Sequence, residues 1–594
     1  MFFSKLEPPR FLPLGDGSLT IEFGNEVSEE INDRVYELYR LLKEEKWKEI
    51  RDLIPTYRSL TICFDPGCIS MRRMREKLEK ALRRQSVRKK QGASREESRT
   101  VEIPVCYGGA FGPDLQTVAD HAGFEPEEII RRHSGVDYRI YMLGFLPGFA
   151  YLGGMDPALQ TPRLASPRLS IPAGSVGIAG GQTGIYPMES PGGWQLIGRT
   201  PVQVYDPGRQ TPVIYRAGDR IRFVPITEEE FAAAERSILQ EKLGGSENFD
   251  EQKQRDQRRT AASVEAGIRI LDSGALTSIQ DEGRYGYRDQ GVPVAGAMDH
   301  LSMRQANLLV GNAQNEPLLE ATLLGPRIEI CRDTIYAITG ADMGASQNGK
   351  PVENYHAYPA KKGDILQLKA AKDGIRSYIA FAGGFALSKE MGSCAADVKA
   401  KLGGLVTEDD HGQGTRIKSG DAIPLKKAVQ GLPNMYKRYL SDEDRQRYST
   451  CPQKTKQTYK IRTLAGPQAD MFSQEELEKF YHTIYTISSK SDRMGYRLQG
   501  EKIRPRKTAD IISDGIAFGS VQITSEGLPI LMMADHQTTG GYAKPATVIT
   551  ADLPRLAQLG PGAQIHFEEV SIEEAEKARK QLEQELRSFR REIS

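Results

Sequence analysis

The sequence predicts a mostly β protein with α+β elements, carried as two β-rich halves on one chain of 594 residues. Three observations lead there. The 58 glycines and 33 prolines form no low-complexity run but punctuate short apolar segments, the pattern of many strands joined by tight turns. A block recurs in the same order: Gly174-Ser175-Val176-Gly177-Ile178 is echoed by Gly519-Ser520-Val521-Gln522-Ile523. Each copy is followed by a Gly-Gly-aromatic triplet, Gly192-Gly193-Trp194 and Gly540-Gly541-Tyr542, and closes on a glycine turn with an alternating strand, Gly218 to Phe223 and Gly562 to Phe567. Between the copies, residues 244–265 are charged and poor in apolar side chains, which predicts a flexible tether.

Residues 1–82 predict a small α+β unit. Leu19-Thr20-Ile21-Glu22-Phe23 alternates like a half-buried strand, and Leu60 to Phe64 reads as another. Between them Ile31, Val35, Leu38 and Leu42 recur at helical spacing. From Arg83 to Arg99 the chain is basic but has no interleaved aromatics for base stacking, so an exposed loop is expected there. Residues 100–243 form the next β unit, with short helices at about 114–122 and 126–133 ended by Gly123 and Gly135. Thr227-Glu228-Glu229-Glu230 is a capping box for its closing helix. Two further β units are expected over 266–430 and 431–570, with glycine-turn strands again at Gly363 and Gly420. Residues 571–594 predict a helix opened by the capping box Ser571 to Glu574, its stripe of Leu582, Leu586, Phe589 and Ile593 packing on its own domain.

Charge excludes some functions. The 80 basic and 79 acidic residues leave a formal net charge of +1, unlike a nucleic-acid binder. No run approaches the roughly 20 apolar residues that cross a bilayer, and the start, Met1-Phe2-Phe3-Ser4-Lys5, lacks the apolar core of a secretory signal. The six cysteines are scattered, which argues against a disulfide framework or structural zinc and predicts a cytoplasmic protein without a metal site. The phosphate-binding, dinucleotide, nucleophile-elbow and His-Glu-x-x-His signatures are absent, as is a Met-Lys-Met biotin acceptor.

The densest chemistry lies between Tyr141 and Asp206. Its glycines let backbone N–H groups approach a ligand, and its prolines fix loop shape. Arg163, Arg168 and Arg199 are candidates to grip a carboxylate or phosphate, and Gln182 and Tyr186 to recognise an amide; a barrel with tight turns and surface arginines is the plainer alternative. In the second half Asp281 and Asp299 are candidates for a base or a cation ligand, or else turn aspartates, while Arg284, Arg493 and Thr539 are candidate substrate contacts in glycine-rich surroundings. His536 and His133 are candidate general bases or hydrogen-bonded structural histidines.

The run 141–206 resembles the family called allophanate hydrolase subunit 1, the B component of 5-oxoprolinase, or inhibitor of the sporulation histidine kinase. The runs 276–325, 491–498 and 513–552 are similar to its companion, allophanate hydrolase subunit 2 or the C component of 5-oxoprolinase, also classed as biotin-dependent carboxyltransferase-like. The resemblance implies tandem cyclophilin-like β-barrels and two usually separate polypeptides fused into one. It also implies ATP, with Mg²⁺, as co-substrate for opening 5-oxo-L-proline to L-glutamate, a third subunit of the LamB/YcsF type, a small amide substrate and an oligomeric assembly. Two alternatives accompany it: a carboxyltransferase component acting on urea or a related amide with biotin-carrying partners, and a histidine-kinase regulator.

Overall fold

The computed structural model describes residues 8–90, 99–209, 211–243, 266–405, 416–426, 438–452 and 458–593. The expected tether at 244–265 lies outside them. None of the described helices is long and apolar enough to cross a membrane.

The N-terminal unit is a four-stranded antiparallel sheet in the order Arg10–Pro13, Ser18–Glu22, Ser59–Phe64, Ile50–Pro55. Helix Glu29–Glu45 starts where Ser28 accepts from Ile31 N, and stops at Lys46, which adopts the left-handed conformation (φ 46°). Its Val35, Leu38 and Leu42 join Leu19, Ile21, Leu60 and Ile62 in one core. Helix Met71–Lys90 takes in the first part of the stretch expected to be a loop, of which residues 91–98 lie outside the described ones. Its Met71, Met74, Leu78 and Ala81 face the core of the unit, while Arg72–Glu76 and Arg75–Glu79 pairs one turn apart support the exposed side of the same turns. The two central strands are buried on both faces, not one. Thr20 and Thr61, on the side predicted to face water, bond each other at 2.8 Å and lie against the second half of the chain. There a Cβ on Gly515 would come within 2.4 Å of Thr61 Oγ1.

Each half contains a closed seven-stranded barrel. Around the first ring the strands run Gln182–Ile185, Ala150–Gly153, Asp137–Leu143, Arg220–Pro225, Thr100–Tyr107, Gln195–Arg199, Ser175–Ala179. Around the second they run Pro529–Met532, Gly495–Gln499, Tyr485–Ile487, Gln564–Glu569, Thr458–Ala465, Ala546–Val548, Ser520–Ile523. The circular order is the same, and in both rings the closing strand lies parallel to the opening one, Ile221 beside Val101 and Ile565 beside Tyr459. The sequence repeat falls on equivalent positions. Gly174 and Gly519 (φ 83° and 86°) turn the chain into matching strands, in a conformation that L side chains avoid. The Gly-Gly-aromatic triplets fall on matching two-stranded flaps, Ser190–Gly192 with Arg168–Ile171 and Thr539–Tyr542 with Asp510–Gly515.

The turns at Gly363 and Gly420 lead into strands of a different module. Ile365–Gln367 and Ala422–Ile423 belong to a six-stranded sheet that packs over a five-stranded one around Ile270, Ile328, Ile338 and Phe381. Alternation specifies a strand but not the sheet that receives it. The far face of the five-stranded sheet is covered by helix His300–Leu309, by Leu586 and Phe589 of the C-terminal helix Ile572–Glu592, and by Ile593 that caps it. Ser571 and Glu574 close the expected capping box.

The N-terminal unit is wedged between the barrels. On one side Asn32 and Tyr36 donate to Tyr141 O, both at 3.3 Å, and Arg139 bonds Asn32 and Asp33. On the other, Ser59 donates to Asp514 at 2.6 Å, and Asp16 accepts from Thr550 N and Oγ1 at 2.8 Å. The first barrel also touches the second half directly, Gly148 N donating to Gln290 O at 2.9 Å. At Gly144 the approach is closest: an added Cβ would lie 2.1 Å from Thr539 Oγ1. Gly144→Ala is therefore expected to weaken docking of the halves by about 1–3 kcal/mol, as overpacking does, and to lower the melting temperature. Adding Thr539→Ala removes the atoms it strikes and is expected to restore part of the loss. An unchanged melting temperature for the single variant would remove Gly144 from the seam.

Candidate active site

A cavity of about 250 Å³ opens where four parts of the chain meet. The N-terminal unit contributes Asp16, Arg51 and Cys63, the segment 282–304 contributes Tyr285, Arg288, His300 and Arg304, the second barrel Phe518 and His536, and the C-terminal helix Arg579. The size lies just below the roughly 300–1,000 Å³ of sites for drug-sized ligands, so it suits a smaller organic molecule.

Arg288 stands on a short 3₁₀ turn, Arg288–Gln290, and is buried. Its Nη1 reaches Cys63 Sγ at 3.1 Å, its Nη2 donates to Ile516 O, and its Nε has no partner. The turn is fixed by Asp52, whose Oδ1 accepts from Gly286 N at 2.7 Å and Arg288 N at 3.3 Å. Burial pushes the Asp52 carboxyl up to about 6, against the pull of Arg288, and its Oδ2 is unpartnered. His536 holds Gln537 O through Nδ1 at 2.7 Å. A carbonyl only accepts, so Nδ1 carries the proton and Nε2 presents a lone pair. Burial, helped by Arg288, lowers this imidazole to about 3 and keeps it neutral. His300, beside Phe518 at 6.3 Å between ring centres, is lowered to about 3 by burial and by Arg304 and Arg51. Those two arginines are themselves held, Arg304 by Glu282 and Glu583 and Arg51 by Asp65. The result is a guanidinium donor beside a neutral imidazole acceptor, a pair able to polarise a carbonyl and to orient a water.

Of the residues singled out in the sequence, His536 lines this cavity. The others are placed elsewhere. Asp281 accepts from Gly283 N, Ser393 Oγ and Cys394 N, which pins the 390–395 loop. Asp299 caps helix His300–Leu309 through Ser302 N and also accepts from Ser302 Oγ, Thr450 and Gln558. Arg284 is buried against Ala395 O at 2.7 Å. Arg493 forms a two-pronged pair with Asp535, both bonds at 2.8 Å, and bonds Glu320 and Gly296 O. Thr539 faces Gly144 across the seam. His133 sits in the first barrel's core with Nδ1 on Tyr107 and Nε2 on Thr183, both at 2.8 Å, and burial lowers it to about 3. Asp281, Asp299, Arg493 and His133 are engaged by the fold, while Arg284 Nη1 and Thr539 Oγ1 are buried without a partner but away from this cavity.

The first-half candidates gather on a different surface. Tyr186 packs edge-on to Phe149 and Trp194, Gln182 donates to Tyr57 at 2.7 Å, and Arg168 pairs with Asp114 at 2.7 Å. Arg163 is exposed there. Arg199 donates to Ala173 O and lines a separate opening of about 450 Å³ toward Ala400 and Lys401. Arg288 and His300 lie within the glycine-rich segment already marked by sequence, but neither stands in a motif of its own. Arg51, Asp52 and Arg579 carry no local signal at all. Among the described residues no group of three or more His, Cys, Asp or Glu is arranged to hold a metal ion.

The lowered imidazoles give a sign to the pH dependence of stability. An unfolded imidazole titrates near 6.5. Between that value and about 3 the unfolded chain binds more protons at His133 and His536 than the folded one does. Their contribution is whole above pH 6.5 and is lost as the pH falls toward 3, roughly 1–2 kcal/mol per histidine between pH 7 and 5. The urea midpoint is expected to drop over that interval, and His536→Gln to drop less. An equal drop in that variant would mean His536 is not held neutral.

Comparison with known proteins places the whole chain. Residues 9–215 match the family model described as carboxyltransferase domain, subdomain C and D, and residues 290–569 the one described as carboxyltransferase domain, subdomain A and B. The second half is 38% identical to the C component of 5-oxoprolinase from Escherichia coli over 315 residues, 52% of this chain and 94% of that one. The first half is 44% identical to the B component of 5-oxoprolinase from Bacillus subtilis over 228 residues, 37% of this chain and 94% of that one. A solved structure, TTHA0988, superposes with a TM-score of 0.73 at 30% identity, covering 93% of this chain and 99% of its own. With near-complete counterparts of both proteins on one polypeptide, this chain belongs to the carboxyltransferase-domain family of the B and C components of 5-oxoprolinase, as a fused member.

Proposed function

We propose that the chain is the fused B–C component of an ATP-dependent 5-oxoprolinase, opening the lactam of 5-oxo-L-proline to L-glutamate together with a third subunit of the LamB/YcsF type. What supports it most is that near-complete counterparts of both named components meet in one molecule, with a cavity of lactam size beside their seam.

In the balanced reaction, lactam, ATP and two waters give glutamate, ADP and phosphate. Transfer of the terminal phosphoryl group to the lactam oxygen makes the ring carbon electrophilic. One water adds to that carbon, and the ring C–N bond breaks with nitrogen taking a proton. The second water releases phosphate from the acyl phosphate. In this chain the partnerless Nε–H of Arg288 would hold the lactam oxygen, and the His536 Nε2 lone pair would orient the attacking water. The cavity suits the lactam alone, and no residue here is assigned to the nucleotide or its Mg²⁺.

The family descriptions favour a second reading, carboxyl transfer to an amide with biotin supplied by a partner. One experiment separates the two. The chain, mixed with the LamB/YcsF-type protein, is expected to hydrolyse ATP only when 5-oxo-L-proline is present and to form one glutamate per ATP without biotin. His536→Ala is expected to lower kcat by about 10²-fold, the usual scale for losing one proton-handling group. ATP hydrolysis indifferent to 5-oxoproline would end the oxoprolinase proposal, and carboxylation abolished by avidin would put the second in its place.

A further inference from the structure

Two buried charges in the cavity have no work in the reaction as described. Arg579 reaches in from the C-terminal helix, beyond the last residue of either family match, 569. It is 7% exposed, yet its Nε has no hydrogen-bond partner, and no carboxylate among the described residues pairs with it. Asp16 comes from the opposite end of the chain, in the turn between the first two strands, and is 2% exposed. Its Oδ1 accepts both bonds from Thr550, and its Oδ2 accepts none. Burial raises the Asp16 carboxyl, against the pull of its hydrogen bonds and, last, of Arg579, and the two side chains do not meet in an ion pair. Leaving a guanidinium N–H and a carboxylate oxygen buried and unpartnered is costly. A ligand that bonds both would relieve that cost.

We propose that Arg579 and Asp16 are the two jaws of a clamp for a small molecule bearing a carboxylate and an N–H on one carbon. The guanidinium takes the carboxylate through two parallel N–H···O bonds, a geometry that arginine provides and lysine does not. Asp16 Oδ2 accepts the N–H. The clamp rests on the oxoprolinase proposal only for the ligand's name: in 5-oxo-L-proline one carbon carries both the carboxylate and the ring nitrogen. Held in this way, the ring would be fixed at the end away from its carbonyl, leaving the carbonyl to Arg288. Arg579 and Asp16 are then binding residues, and their loss should act on affinity.

Titration calorimetry on the full chain tests the clamp with three probes: 5-oxo-L-proline, the open-chain N-acetylglycine, and pyrrolidin-2-one, which has no carboxylate. Arg579→Gln is expected to weaken both acids on the order of 10- to 100-fold, the scale of hydrogen bonds to a charged group, and Arg579→Lys to recover part of that. Pyrrolidin-2-one should bind wild type and variant alike, which separates loss of the carboxylate contact from misfolding. Asp16→Asn keeps an oxygen for Thr550 but turns an N–H toward the ligand, and is expected to weaken both acids as well. Equal affinity of Arg579→Gln and wild type for the acids, or no binding of either acid to wild type, overturns the clamp. Binding of N-acetylglycine through Arg579 without binding of 5-oxoproline would keep the clamp and sink the oxoprolinase proposal. Turnover of 5-oxoproline with an unchanged KM in Arg579→Gln would do the reverse.

Discussion

The assembly depends on a buried carboxylate at the seam between the N-terminal sheet and the second barrel. Asp514 accepts from Ser59 of the N-terminal unit at 2.6 Å, from Gln468 at 3.3 Å and from its neighbour Gly515 N at 2.8 Å. Fully buried Lys544, whose Nζ makes no hydrogen bond, lies 3.8 Å from the oxygen that Gln468 reaches. Arg58 and Glu22 pair nearby, also buried. Charges taken out of water cost several kcal/mol each unless partners replace the hydration, so this cluster is favourable only with both surfaces in place. The same constraint explains why the polar face of the N-terminal sheet is buried, and why the sheet cannot be treated as a peripheral cap. Once it is wedged there, the loop carrying Asp16 and the strand end carrying Cys63 become walls of a cavity whose other walls come from hundreds of residues away.

Within that cavity the physics runs from burial to protonation to chemistry. Burial strips the imidazoles of their charge and leaves His536 with an open lone pair, while arginines anchored by their own carboxylates keep the local field positive. The side chains that look most reactive in the sequence have mostly been consumed by structure. Asp299, accepting four hydrogen bonds, has no capacity left for a substrate, and Asp281, accepting three, has little. Of the buried atoms left without a partner, those on residues lining the cavity are Arg288 Nε, Arg579 Nε and Asp16 Oδ2. Unpaired buried donors and acceptors are rare enough in folded proteins that each calls for a reason.

Fusion is consistent with this geometry. Each barrel is a complete closed ring, but the cavity needs the N-terminal unit of the first half and the barrel, the segment 282–304 and the C-terminal helix of the second. Modules joined by a short chain meet at an effective concentration of about millimolar. The seam, with Gly144 against Thr539 and Gly148 on Gln290, then needs less affinity of its own than it would between separate polypeptides.

The features the sequence determined alone are those set by neighbours along the chain. A glycine at positive φ followed by alternating residues makes a turn and a strand wherever it occurs, so the repeat at Gly174 and Gly519 could be read directly and marks equivalent points of two like barrels. Ser571 with Glu574 opens a helix for equally local reasons. Tertiary structure decided everything that depends on which surfaces meet. The same turn signal at Gly363 feeds a different sheet, because alternation carries no address. Thr20 and Thr61 are buried because a second barrel covers them, which no period in their own strands encodes. Asp16 and Arg579 become neighbours only when the first strands and the last helix close on one cavity. A charged side chain looks the same in sequence whether its partner is present or missing, and only the folded chain shows which oxygens and nitrogens were left without one.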